Sequence, residues 1–97
     1  MLNSRQRAQL RGLANTMGAI FQVGKGGLSE EQCLQLGKAL EARELIKVRV
    51  LDKSPVTARE AAGDVAAATG ADVVQVIGGC FVLYRESRDN KTITLVR

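Results

Sequence analysis

Four consecutive residues, Gly24, Lys25, Gly26 and Gly27, combine one cation with three bare backbone positions. Glycine exposes its N–H with no side chain in the way, and a helix N-terminus just beyond adds partial positive charge, so the combination suits a phosphate backbone. Ser29 and Gln32 have capping-box spacing, and Leu28 and Cys33 are placed as a hydrophobic staple. The helix therefore starts at Ser29 and the glycines lie in the connection. Charge points the same way. Arg5, Arg7, Arg11 and Lys25 all precede the first acid, Glu30, after which ten basic residues are matched by ten acidic ones, so the net charge of +4 belongs to the first helix and the loop. One end of the protein is expected to carry a positive field that favours polyanions, as a sequence pI near 9.5 also suggests. The plain alternatives are a solvated basic helix face and a tight strand-to-helix turn.

Other glycine-loop chemistries fit less well. A nucleoside triphosphate loop needs Gly-x-x-x-x-Gly-Lys-Ser/Thr, but here Val23 precedes Gly24-Lys25 and Gly26 occupies the Ser/Thr place. A dinucleotide fingerprint is a nearer miss: Gly24-x-Gly26-x-x-Ser29 follows an apolar run, and Asp52 closes the next one as a candidate ribose ligand. A Gly-x-x-Gly loop also clamps the nucleotide backbone in KH domains, where it joins two helices rather than a strand and a helix. With no histidine and two cysteines, the usual zinc ligands cannot be assembled and His-assisted nucleophilic catalysis is excluded. Cys33 and Cys80 read as small hydrophobes on a helix and a strand rather than a disulfide.

The elements that must position the loop follow from periodicity. Leu10, Leu13, Ala14 and Met17 recur at helical spacing behind a Ser4 cap, with Arg7 and Arg11 on another face, which predicts a helix over residues 4 to 16. Ala19 to Val23 reads as a strand and Ser29 to Ala42 as a second helix. Leu45 to Leu51 alternates apolar with basic residues, a strand with one covered face, which places Lys47 and Arg49 on the uncovered side. A Thr57 cap with Glu60 opens an alanine-rich helix ending before Gly70. Val73 to Ile77 and Phe81 to Arg85 are strands joined by a two-residue turn at Gly78-Gly79. A thin polar tail follows from about residue 87, with room for one further strand at Thr92 to Val96.

The 97 residues make one domain, large enough to bury roughly 60 to 65% of the unfolded surface. The order α-β-α-β-α-β-β predicts an α/β (α+β) fold with a four-stranded mixed sheet and helices mainly on one face. No run approaches the ~18 to 20 apolar residues of a membrane helix, and Met1 to Arg5 leads into a polar helix rather than a signal peptide, so a cytoplasmic location is expected.

The blocks Gly24 to Ser29, Glu44 to Val50, Val74 to Gly78 and Val82 to Arg85 together resemble the bacterial stand-alone CRM domain, the YhbY family of RNA-binding proteins, over nearly the whole chain (1–97). The resemblance implies a four-stranded sheet with helices on one side, similar to the C-terminal domain of bacterial translation initiation factor three. It implies association with 23S ribosomal RNA in large-subunit precursors. It puts the RNA-contacting loop on Gly24, Lys25, Gly26 and Gly27, with the basic first helix of Arg5, Arg7 and Arg11 beside it. Asn15 and Arg43 stand where many members have histidine, and a proline usual before the first strand is missing near Gly18-Ala19.

The expectation is a non-enzymatic, monomeric RNA binder without metal or cofactor, assisting ribosome assembly, with Lys47, Arg49 and Arg85 as secondary contacts. Phe21, Phe81 and Tyr84 are too few for a stacking platform, which favours recognition of folded RNA by shape. A protein adaptor using an open sheet face of Lys47, Arg49, Gln75 and Arg85, and a small nucleotide-binding protein using Asp52, remain as other readings.

Overall fold

Each helix starts at a side chain that takes over one of its orphaned N–H groups. Asn3, Ser29 and Thr57 accept from the backbone three residues on, while Gln6, Gln32 and Glu60 reach back to the cap's own N–H. Such a cap contributes about 1 kcal/mol. The computed structural model describes residues 2–97. It contains α1 (Ser4–Ala14), β1 (Phe21–Val23), α2 (Glu30–Arg43), β2 (Leu45–Val50), α3 (Ala58–Thr69), β3 (Asp72–Ile77) and β4 (Cys80–Tyr84), in the expected order. The first cap is Asn3 rather than Ser4, because only Asn3 has a side chain able to accept, Gln6, at the box position; from Ser4 that position is Arg7. The helix stops at Ala14, where the Thr16 hydroxyl donates to the Leu13 carbonyl and Met17 N–H to the Ala14 carbonyl.

The sheet has the order β1-β2-β4-β3, with β1 parallel to β2 and the other pairs antiparallel. The Gly78-Gly79 turn links Ile77 and Cys80, with positive φ at Gly78 alone, the pattern of a type II′ hairpin. Ile46, Val48, Val50, Phe81 and Leu83 point to one face and pack under Leu36 and Leu40 of α2 and Ala61, Ala62 and Val65 of α3. The alanines keep α3 close to the sheet, and each fully buried aliphatic side chain contributes roughly 1.5 to 3 kcal/mol.

The second face is not open along its length, as the alternation in β2 suggests. Leu10 and Ala14 of α1, with Leu2, cover Leu45, Val74, Val82 and Tyr84 there. Two of the three helices share one face and α1 takes the other. Ile93 and Leu95 from the C-terminal segment join the same cluster. That segment is neither thin nor a strand. Gln6 donates to the Val96 carbonyl, while Gln9 donates to the Thr94 carbonyl and accepts from Val96 N–H, so glutamine side chains supply the bonds a neighbouring strand would give.

The segment is fixed at its start by two carboxylates. Glu44, fully buried at the C-terminus of α2 with a φ of 67°, accepts from the N–H groups of Ser87 (2.8 Å), Thr92 (2.7 Å) and Ile93 (2.9 Å). Burial pushes its pKa up, but these donors outweigh it and hold the carboxyl below its ordinary value. One turn earlier Glu41 accepts from the Ser87 hydroxyl and from the N–H groups of Asp89 and Arg88, which also lower its pKa. No helix among the described residues is long and apolar enough to cross a membrane.

Candidate nucleic-acid interface

The parallel pairing of β1 with β2 brings the C-terminal ends of both strands, and so the loops that follow them, to one end of the sheet. Leu51 N–H donates to the Val23 carbonyl at 2.9 Å, tying the loops together. In the first loop Gly27 N–H donates to the Gly24 carbonyl at 3.0 Å, which makes Gly24 to Gly27 a β-turn with Lys25 and Gly26 at its tip. The glycines differ in role. Gly27 is buried, has a φ of +70°, and a Cβ there would lie 3.1 Å from Pro55 Cγ, so it is required by the chain itself. Gly24 has ordinary φ and a Cβ there would make normal contact with Leu51. Gly26 is exposed, has ordinary φ and open space where a Cβ would be.

Lys25 is exposed and forms no ion pair, and among the described residues neither Lys25 N–H nor Gly26 N–H has a hydrogen-bond acceptor. The helix behind them offers less than the sequence promises. Its first turn is occupied by the Ser29–Gln32 box and carries Glu30 and Glu31, whose charge already complements the dipole. The turn, rather than the helix N-terminus, is the place for an anion.

Four strands carry one row of register partners beside this loop, Gln22, Arg49, Cys80 and Ile77, on the face that α1 covers further down. Arg49 is exposed there, as expected. Lys53, in the loop after β2, is also exposed and was not indicated by charge clustering. The signal that finds it is topological: a β-α-β unit with parallel strands always places its two following loops side by side.

The other basic residues divide. Lys47 shares a strand face with Arg49 but lies at the edge of α1, half-buried, and its ammonium donates to the Met17 carbonyl at 3.0 Å. The expected open position is closed because the chain leaving α1 passes over it. Arg85 is on the opposite face from Lys47, in step with Phe81 and Leu83. Its guanidinium donates to the Thr69 carbonyl (2.8 Å) and the Gly37 carbonyl (3.0 Å), and sits 3.7 Å from Glu41, so it joins α2 to α3. Arg7 donates to the Val73 carbonyl on β3, the sheet edge opposite β1. Arg5 and Arg11 are exposed on α1. The N-terminal charge excess is thus not one patch, because α1 packs on β2, β4 and β3 while the glycine loop extends from β1.

A cleft of about 800 Å³ runs between α2 and α3, starting at Leu28 and Ser29 just after the glycine turn. It is lined by Leu28, Cys33, Leu34 and Ala68 with the acids Glu30, Glu41 and Asp64 and the bases Lys38 and Arg85, the last already engaged by Glu41, so it carries no positive excess for a polyanion. Among the described residues no group of three or more acidic, cysteine or histidine side chains gathers into a metal site, and Cys33 and Cys80 are free.

Residues 2–85 match the CRS1/YhbY (CRM) domain. The chain belongs to this family. It is 43% identical over 95 residues to YqeI of Bacillus subtilis, named a probable RNA-binding protein, covering 98% of this chain and 99% of that one. It is 34% identical to an RNA-binding protein of Haemophilus influenzae, with 93% and 91% of the two chains covered. The solution structure of a hypothetical protein from Staphylococcus aureus, described as a candidate RNA-binding protein, superposes with a TM-score of 0.79 at 46% identity over 99% of this chain and 100% of that one. The CRM domain match stops at Arg85, so the segment anchored on Glu41 and Glu44 lies beyond it.

Proposed function

We propose that this CRM domain is a non-enzymatic RNA-binding protein that grips the phosphate backbone of structured RNA with the Lys25–Gly26 turn. One observation carries the reading. Gly26 is a glycine without an internal reason: it has neither positive φ nor a crowded Cβ position, and its N–H points to no acceptor. A bare, unsatisfied donor beside an unpaired lysine suits a phosphate oxygen approaching closely. Arg49 on β2 and Lys53 in the loop after it are exposed on the neighbouring strand and loop, and Arg5 and Arg11 form a separate basic surface on α1. Gly24 and Gly27 close the turn from within, Gly27 N–H donating to the Gly24 carbonyl.

RNA-binding relatives support the class of ligand. Phe21 is half-buried, and Phe81 and Tyr84 are buried, which leaves no aromatic surface for stacking single strands and favours folded RNA. Resemblance to the YhbY family extends the proposal to 23S ribosomal RNA in large-subunit precursors, with the protein acting in the cytoplasm as a monomer that assists assembly.

The test pairs RNA affinity with thermal melting. Lys25→Ala should weaken binding about fivefold and Gly26→Asp about thirtyfold, the second because a carboxylate then faces phosphate, while both variants melt as the parent does. A folded Gly26→Asp protein with parental affinity would remove the turn from the interface.

A further inference from the structure

Between the hairpin and the loop after β2 lies a second, smaller concavity of about 290 Å³, lined by Arg49, Val50, Leu51, Asp52, Gly79 and Cys80. It adjoins the glycine turn, since Leu51 is bonded to Val23 and touches the position of Gly24. Its size is near the lower bound of small-ligand pockets, about 300 Å³, which is room for a single planar base. Val50 N–H donates to the Gly79 carbonyl at 2.6 Å and closes its floor.

Its chemistry is unusual for a phosphate-binding surface. Asp52 is exposed and forms no ion pair or side-chain hydrogen bond within the described residues, although Arg49 lines the same concavity and Lys53 follows it in the chain. An unneutralised carboxylate opposes phosphate, so it is useful here only if the RNA brings donors to it. Nucleobases supply these on their Watson–Crick edges, and guanine alone offers two adjacent ones, N1–H and the N2 amino group, matching the two carboxylate oxygens. The adjoining Hoogsteen edge of guanine carries the O6 and N7 acceptors that an arginine fork reads. Arg49, equally unpaired, is on the same lining. Ile77, 62% exposed and in the same row as Arg49 and Cys80, offers an apolar surface against which a base face can rest.

We propose that this concavity holds one unpaired guanine of the bound RNA, with Asp52 accepting from N1–H and the N2 amino group and Arg49 donating to O6 and N7. The proposal rests on the RNA-binding reading above and adds to it a base-specific contact beside a backbone grip.

The experiment measures affinity of the full chain for RNA hairpins that differ only in one bulged nucleotide: guanine, inosine, which lacks the N2 amino group, or adenine. Guanine should bind about tenfold tighter than adenine and about fivefold tighter than inosine. Asp52→Ala, checked for parental melting, should abolish the guanine-to-inosine ratio and reduce the guanine-to-adenine ratio, part of which Arg49 maintains through O6 and N7. The ratios are read rather than the affinities, because the substitution also removes a charge that repels phosphate. Lys25-dependent binding that ignores the bulged nucleotide would overturn the guanine pocket and leave the backbone grip standing, as would a guanine-to-inosine ratio that survives Asp52→Ala. Absence of binding to every hairpin would overturn both.

Discussion

At the start of β2 the Glu44 carboxylate is ringed by N–H groups from Ser87, Thr92 and Ile93, whereas at the other end of that strand the Lys25–Gly26 turn presents N–H groups with no acceptor. Both places gather backbone donors, and both suit an anion. At the first, the chain supplies the anion itself, and the result is a fixed C-terminal segment. At the second nothing from the chain arrives, and the cations nearby, Lys25, Arg49 and Lys53, are likewise unpaired. Unsatisfied donors at an exposed end cost little because water serves them, so the contrast separates groups committed to the fold from groups available to a partner.

Removing Glu44 should break that contrast most strongly. Glu44→Ala deletes an acceptor shared by three N–H groups and the Thr92 hydroxyl and should destabilise the protein by about 3 kcal/mol, read by urea unfolding. RNA affinity extrapolated to the folded fraction should not change.

Acid should act on the same end. Glu41 and Glu44 are both held below their ordinary value of 4.5, so they contribute stability that is complete above that pH and is lost as pH falls through their lower folded values. Melting temperature should therefore drop below about pH 4.5, and Glu44→Gln should flatten that drop.

Salt should act on the opposite end. At ~0.7 to 0.9 per phosphate neutralised, three cations at the loop predict that log affinity falls with log salt at a slope of about 2 to 3. Arg7→Gln should leave this slope unchanged, since its guanidinium is engaged by Val73. The smallest effects compare neighbours on one strand. Lys47→Gln should cost about 1 kcal/mol in stability through the lost bond to Met17, and Arg49→Gln less than about 0.5 kcal/mol.

The Ser29 and Thr57 caps, the hairpin turn and the element order were legible because each depends on residues within four positions of one another. The covering of the second face was not, although a signal for it exists: Phe81-Val82-Leu83-Tyr84 is apolar without alternation, which a central strand shows when both its faces are buried. Parity along that strand also puts Arg85 with Phe81 and Leu83, under the helices rather than with Lys47. Lys53 escaped because its relation to Lys25 arises from the parallel crossover rather than from sequence distance. Glu44 escaped because a buried carboxylate with three backbone donors has no local pattern; its partners lie more than forty residues away.

The bond from Gln6 to the Val96 carbonyl, 2.9 Å, places the two extremities of the described chain side by side, against the sheet near β3. The glycine turn follows β1, the opposite edge strand, which lies roughly 14 Å from β3 across three inter-strand spacings. Circular permutation that joins the extremities with a short linker and opens the chain at the α3–β3 connection is therefore compatible with the fold. For the same reason, segments fused at either extremity, or copies strung in tandem, would leave every glycine turn facing outward and free to engage its own stretch of a long polyanion.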